Sequence, residues 1–413
     1  MHASPFRALA RYRLLPSLVG WPALLIALGA RAPFAMIPLG TMTAVTAATG
    51  SVATGGLATG IVSVSAAVAS PLIGRWADRH GQRGVLLVLA PLAAAALMAL
   101  YLAARWAWSG PALALVCVAA GATTLPIGSF TRARWVALTR TPHELGAAFS
   151  YESMADELTF VLGPALVGVA ASLAAPSSPL LIAMVLVLVA TIPFALTAPR
   201  PAAAPGDRHE GPHPSIGRVL RSVAPAIAVM VSIGALFGST QAATTARAEA
   251  LGQPGVAGLV YAVMGVGSAT MSLLVVLLPD SLRLSHRILI GGAAVAALIS
   301  LVAAQSGLVG TALCLLLVGA FVGPTMVTAF SLAEHLAPSG GLSVAMTSLS
   351  ASVTVGVSLG STIGGRLATS PGPVGAFALG AAAGLVIAVT GAALWVASRR
   401  RRRVSERPPV RVG

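Results

Sequence analysis

Apolar residues in this chain run in long stretches that short polar intervals divide. A helix that crosses a bilayer needs about 20 mainly apolar residues. Twelve stretches meet that length, at 17–46, 51–74, 84–105, 110–134, 145–173, 178–198, 222–246, 255–278, 288–306, 308–333, 341–368 and 373–397. Gly, Pro and Ser clusters at 175–178 and 338–341 mark turns between them. The seventh stretch is the weakest, because 239–247 is polar. The pattern predicts an all-α polytopic membrane protein with twelve transmembrane helices.

The halves are related. Leu162-Gly-Pro-Ala-Leu-Val-Gly168 lies 197 residues before Leu359-Gly-Ser-Thr-Ile-Gly-Gly365. Gly121-Ala122 with Pro126 lies 198 before Gly319-Ala320 with Pro324. Both matches link span n to span n+6, which indicates a 6+6 duplication. The expected organisation is an N-terminal six-helix bundle over 1–198, a polar linker over 199–221, a C-terminal six-helix bundle over 222–397 and a basic tail over 398–413.

Arginines fix the orientation. With the N-terminus inside, 22 of them fall on the inner segments and 3 on the outer ones, Arg31 lying within span 1. That bias predicts cytoplasmic termini at both ends and an even number of spans. Arg7, Arg11 and Arg13 before an apolar run, with Ala30-Arg31-Ala32 beyond, resemble a signal peptide and its cleavage site. The apolar stretch continues to Ala47, which favours an uncleaved first span. The run 399–403 follows span 12 directly and reads as an anchor on anionic headgroups.

Composition removes whole classes of function. Charged residues are 9% of the 413, against roughly 25% in soluble domains. Hydrophobic residues reach 56% and aromatics 5%, which excludes a soluble fold, a disordered chain and a collagen. All basic residues are Arg, and Asn is missing too. Without Lys there is no Walker A loop, Schiff base or Ser–Lys dyad, and without Asn no N-glycosylation sequon. The net charge of +15 sits at membrane-flanking positions, which argues against nucleic acid. Cys117 and Cys314 lie in apolar runs as buried thiols. Gly356-Val-Ser358-Leu-Gly360 matches a nucleophile elbow in letters, but an apolar helix lacks the strand–turn–helix it needs. His143-Glu144 lacks the second His of a zinc motif, and the His residues are scattered, so neither an enzyme nor a metal site is expected.

Two constellations carry function. Between spans 2 and 3 stands Gly74-Arg-Trp-Ala-Asp78-Arg79-His80-Gly81-Gln82-Arg83. Physically, Gly74 permits close helix approach, Gly81 a tight turn, and Asp78 a bond to the unpaired amides at the start of span 11, near 341–344. Such a bond would favour the outward-open state. The other constellation is charge inside the membrane: Arg31 in span 1, and Glu152, Asp156 and Glu157 in span 5. Asp156 lies about 16 Å deep, and Arg31 reaches a similar depth. Glu152 and Asp156 share a helix face, with Glu157 about 100° away. Three acids against one deep base leave a surplus of negative charge, so one acid is a candidate proton carrier. A static pair of Arg31 with Glu157 is the structural alternative, and Arg132 or Arg134 could pair with Glu152.

The loop resembles the signature of the major facilitator superfamily, G-x-x-x-D-[RK]-x-G-[RK]-[RK], with Gln82 as the departure. Gly163-Pro164 with Gly168 resembles the G-x-x-x-G-P-x-x-G-G motif of its drug/proton antiporters, with Thr159 and Val167 in place of two glycines. Pro164 and these glycines would make span 5 pliable, and Gly356, Gly360 and Gly364 repeat the small-residue face in span 11. Span 4 lacks the mid-helix R-x-x-x-G-x-G pattern, Arg132 being near the end of 110–134. The resemblance implies two pseudo-symmetric six-helix bundles around a central cavity and alternating access. It also implies a bacterial cytoplasmic membrane, a gating loop of Gly74, Asp78, Arg79, Gly81 and Arg83, and a proton gradient as the energy source without cofactor. The expected partners are the lipid bilayer and a small-molecule substrate, with the transporter a monomer. The expected function is proton-coupled efflux of a small, largely apolar compound. Spans 1, 4, 7 and 10 offer few hydrogen-bonding groups, with Tyr151, Gln241 and Tyr261 as candidate polar contacts. Uptake of a polar metabolite by symport, a non-transporting receptor, and a hydrolase built on Ser358 are the alternatives.

Overall fold

A computed structural model describes residues 10–50, 52–197, 214–253, 256–279, 282–369 and 372–405. Eleven helices within them are long and apolar enough to cross a membrane. The remaining long helix, Pro142–Leu173, is span 5 and carries the acids. The other spans are Trp21–Thr49, Val52–His80, Gln82–Arg105, span 4 in two pieces, span 6 from Ser178 to Leu196, Ala224–Ala250, Ala257–Leu274, Leu284–Ala303, Leu308–Leu336, Leu342–Thr369 and Pro373–Ser405. The face that carries the 2–3 and 4–5 loops is called the arginine-rich face below.

Several boundaries move for local reasons. Gly20, at φ +80°, separates a short helix, Leu14–Val19, from span 1. Span 4 breaks between Gly110–Ala122 and Ile127–Leu138, because Pro126 has no N–H and restricts the residue before it. Ser129 and Phe130 N–H donate to Pro126 O, restarting the helix. It therefore ends four residues beyond the expected position 134. Span 6 contains one π turn, Val187–Thr191, just before Pro193. The polar 239–247 interval is continuous helix to Ala250. Helix also continues through 399–405, part of the expected tail, and Ile216–Ser222 is a short helix inside the expected linker. The remainder of that linker, 199–213, and of the tail, 406–413, lies outside the described residues.

Span 5 begins on a capping box: the Thr141 hydroxyl accepts from Glu144 N–H, and the Glu144 carboxylate accepts from Thr141 N–H. Glu144 in the His143-Glu144 pair is thus a helix cap. Arg247, near the far end of span 7, is buried. It donates to Val302 O at 2.7 Å, Ala303 O at 2.9 Å and the Thr311 hydroxyl at 2.9 Å. It caps the carbonyl end of span 9, where the helix dipole favours a cation.

The apolar core is double. One cluster draws mainly on the first six spans, the other mainly on the last six. The duplicated glycines hold equivalent places. A Cβ on Gly121 would lie 2.2 Å from Val62 O of span 2, and on Gly319 2.0 Å from Met264 O of span 8. Likewise Gly163 packs on Ala35 of span 1, while Gly360 packs on Ala235 and Gly364 on Ser239, both of span 7. Gly168 differs from the expected packing role: it is exposed, with nothing within 4 Å. The Pro164 side chain lies outside the described residues.

These environments make opposite forecasts for one kind of substitution. Gly360→Ala puts a methyl group 2.2 Å from Ala235 O and should destabilise the protein by ~1–3 kcal/mol. Gly168→Ala should be neutral or stabilising by up to ~1 kcal/mol. Thermal unfolding in detergent, followed by size-exclusion fluorescence, compares the two; equal losses would show that the span 7–span 11 approach is looser than described.

Candidate functional site

Spans 1, 4, 5, 7, 10 and 11 surround a chamber. Its wall is mostly apolar, with Phe34, Met230, Phe237, Met326 and Phe330. Hydroxyls come from Ser129, Thr159 and Ser350. The break in span 4 matters here, because Pro126, Ile127, Gly128 and Ser129 line the wall where the helix restarts.

Charge gathers at one side of this chamber. Arg31 bonds to Glu152 and donates to Thr131, which also donates to Glu152; its other terminal nitrogen lies 3.3 Å from Asp156. Trp135 Nε1 donates to the second Glu152 oxygen at 2.7 Å. Arg132 donates to the second Asp156 oxygen at 2.7 Å and lies over the Phe330 ring, 3.6 Å from its centre. Gly128 makes room: a Cβ there would come within 3.0 Å of Asp156 and 3.4 Å of Arg132. Arg31, Arg132 and Glu152 are 3%, 0% and 1% exposed. Asp156, at 22%, is the acid open to the chamber, which Arg31 also lines.

This arrangement corrects the expected charge balance. Arg132 pairs with Asp156, not Glu152, and lies six residues inside the end of span 4, because that helix runs on to Leu138. Two arginines thus face Glu152 and Asp156. Arg31 pairs with these two acids; the side chain of Glu157, the other proposed partner, lies outside the described residues. Among the described residues Arg134 forms no ion pair within 4 Å, although it lines one cavity with Glu152. It lies over Phe194 and donates to Phe194 O and to Gln82 Oε1, at 3.0 and 2.9 Å. Gln82 donates in turn to Phe130 O at 3.2 Å. The departure from the signature loop thus has a local reason: an Arg at 82 would face Arg134.

The candidate polar contacts separate. Tyr151 lines a second cavity, at the arginine-rich end of spans 1, 4, 5 and 6. Gln241 is exposed, and Tyr261 packs against the second core; neither lines the chamber. Ser129 was not anticipated. Its hydroxyl donates to Met346 O at 3.1 Å and meets the Ser350 hydroxyl at 2.8 Å, joining the bundles below the chamber.

The loop between spans 2 and 3 joins the two bundles at the arginine-rich face. Asp78 accepts from the Ser343 and Val344 N–H groups, at 3.1 and 3.2 Å, at the start of span 11. Gly74 lies where a Cβ would be 2.8 Å from Ser343 O. Gly81 turns the chain at φ +81°. Arg79 is exposed and Arg83 half-buried. Tyr12 adds a latch by donating to Leu273 O of span 8. Burial pushes its hydroxyl up to about 12, so it remains a donor at physiological pH. Towards the opposite face, spans 1, 2 and 11 part around an open groove of about 1310 Å³, which shares Phe34 and Val353 with the chamber. Among the described residues no three His, Cys, Asp or Glu side chains converge as metal ligands.

Twelve helices in two bundles, joined at one face around a chamber, define a membrane transporter. The Major Facilitator Superfamily profile matches residues 23–339, and the chain belongs to that family. The sequence has no significant match among curated proteins. Solved structures share the fold. A bacterial homologue of the iron transporter ferroportin, in an outward-facing state, has a TM-score of 0.71 at 18% identity over 91% of this chain and 98% of its own. The Escherichia coli fucose:proton symporter FucP has 0.65 at 14%, over 92% and 98%. The human organic anion transporter MFSD10 (TETRAN) has 0.63 at 15%, over 94% and 100%.

Two substitutions probe this geometry. Asp78→Asn removes the charge from the contact with span 11 and should weaken closure of the arginine-rich face by ~1–2 kcal/mol. Spin-label distances between the ends of spans 2 and 11 should then show a larger separated population. Gln82→Arg restores the family pattern yet should cost ~1–3 kcal/mol, since Arg134 loses an acceptor and gains a like charge. An unchanged melting temperature would count against the Gln82–Arg134 contact.

Proposed function

We propose that this chain is a proton-coupled exporter of a small, largely apolar compound, with its arginine-rich face in the cytoplasm. The observation that carries the reading is Asp156, an acid open to a chamber whose wall, apart from its partner Arg31, is apolar and hydroxyl-lined. The orientation rests on the 22-to-3 distribution of arginines. On that reading the described state is closed to the cytoplasm through Asp78, and the chamber is reached from outside.

A proton on Asp156 neutralises a carboxylate held by two arginines. Arg132 then keeps Gly128 O and the Phe330 ring as partners. Because Phe330 belongs to the second bundle, protonation changes the balance of contacts at the seam between bundles. That change biases alternating access. The three structural relatives are described by an organic anion, iron and fucose, so the fold leaves the cargo open. The chamber wall argues for an apolar one, because beyond the Arg31–Asp156 pair it offers three hydroxyls among aromatic and Met side chains.

A screen of apolar compounds in a bacterial strain without its own efflux pumps would supply a substrate for proteoliposome work. Asp156→Asn should then insert, bind and exchange substrate in counterflow, but lose transport driven by a pH gradient. Full gradient-driven flux in Asp156→Asn would overturn Asp156 as the proton carrier. Accumulation inside cells would reverse the direction.

A further inference from the structure

The two acids of the charge cluster open to different cavities. Asp156 faces the chamber. Glu152, one helical turn nearer the arginine-rich face, lies at the inner end of the second cavity, about 690 Å³ in volume, within the first bundle. Thr131, Arg134, Trp135, Tyr151 and Phe194 line it, and Leu18 and Thr197 stand exposed at the helix ends around it. The contacts of Asp78, Ser129 and Tyr12 that join the bundles do not pass through this cavity. The substrate route is therefore closed at this face while a separate recess still reaches Glu152.

We propose that protons cross the first bundle by their own route, from the chamber to Asp156, to Glu152, and out through the second cavity. The proposal rests on the proton-coupled reading and gives it a path. Arg31 does not carry the proton, since a guanidinium stays charged. It holds both carboxylates, with Thr131 and Trp135 fixing Glu152. A protonated Asp156 has a weaker hold on Arg31 and Arg132 and can turn towards Glu152, its i−4 neighbour on the same helix face. The Asp156 O–H bond breaks as the Glu152 O–H bond forms. Glu152 then gives the proton to water in the second cavity and recovers Arg31. Of the elements packed around span 5, span 1 presents Arg31 and span 4 presents Arg132, Arg134 and Trp135. Span 5 itself adds Tyr151, and span 10 the Phe330 ring.

Trp135 reports on Glu152 directly, because its indole N–H bond weakens when the carboxylate is protonated. The test uses a protein in which Trp21, Trp76, Trp106, Trp108 and Trp395 are Phe, in vesicles of known orientation without substrate. Trp135 emission should follow pH steps on the arginine-rich side directly and steps on the other side by way of Asp156. Glu152→Gln should abolish both responses, and Asp156→Asn should keep only the first. A response to the opposite side that survives Asp156→Asn, a response that survives Glu152→Gln, or none at all would overturn the route.

A second measurement does not depend on the Trp replacements. In a Cys117→Ala, Cys314→Ala background, Tyr151→Cys should react with the impermeant thiol reagent MTSET from the arginine-rich side only, and Ser350→Cys from the opposite side only. Labelling of Tyr151→Cys from the opposite side would also overturn it. Failure of the coupling reading looks different: gradient-driven flux would persist in Asp156→Asn, whatever the sidedness of Trp135.

Discussion

Arg31 sets the terms for this structure. A guanidinium on an apolar helix within the membrane cannot shed its proton, so its surroundings must answer its charge. The answer comes from Glu152 and Asp156 on one face of span 5 and Thr131 on span 4. A second fully buried arginine, Arg132, then makes, among the described residues, a group of two cations and two anions. Such a group is fragile in a particular way: removing one member strands another in a medium that solvates it poorly. Much else follows from holding it. Span 4 breaks at Pro126 and restarts against the chamber, Gly128 presents backbone where a side chain would collide, and Trp135 completes the second Glu152 oxygen.

The duplicated architecture is symmetric in packing and asymmetric in chemistry. Gly121 and Gly319 fit against spans 2 and 8, and Gly163 and Gly360 against spans 1 and 7. The same offset of 197 carries Asp156 onto Val353, and both line the chamber. One half thus keeps the ionisable group while its counterpart supplies an apolar wall. The buried arginine of the second half, Arg247, sits at a helix end, where it donates to neutral oxygens and lies over the Phe377 ring. It is a structural cap, remote from the chamber.

How much of this could be read from sequence depended on the range of the interaction. Helix number and the pairing of spans n and n+6 are written in long apolar runs and repeated glycines, which no single substitution obscures. The encounter of Asp78 with the start of span 11 was legible because motif position and helix parity together place a carboxylate near free amides. Arg132 was misplaced because the break at 123–126 shifts where span 4 ends, and helix counting cannot see such a shift. Its stacking on Phe330 joins residues far apart in the chain. Gln82 looked like a flaw in a motif until its neighbour Arg134 was known. The separate recess beneath Glu152 had no sequence signal, being the space left between side chains of four helices.

The seam between the bundles is one-sided in its grammar. The first bundle contributes specific side chains: Asp78, Ser129, Arg132 and Tyr12. The second answers largely with peptide groups, through the N–H of Ser343 and Val344 and the carbonyls of Met346 and Leu273. Peptide groups persist whatever residue occupies the position, so mutation in the second bundle leaves most of this latch in place. That half is correspondingly free to diverge, and the lining it gives the chamber can be rewritten for a new cargo without rebuilding the machinery that closes it.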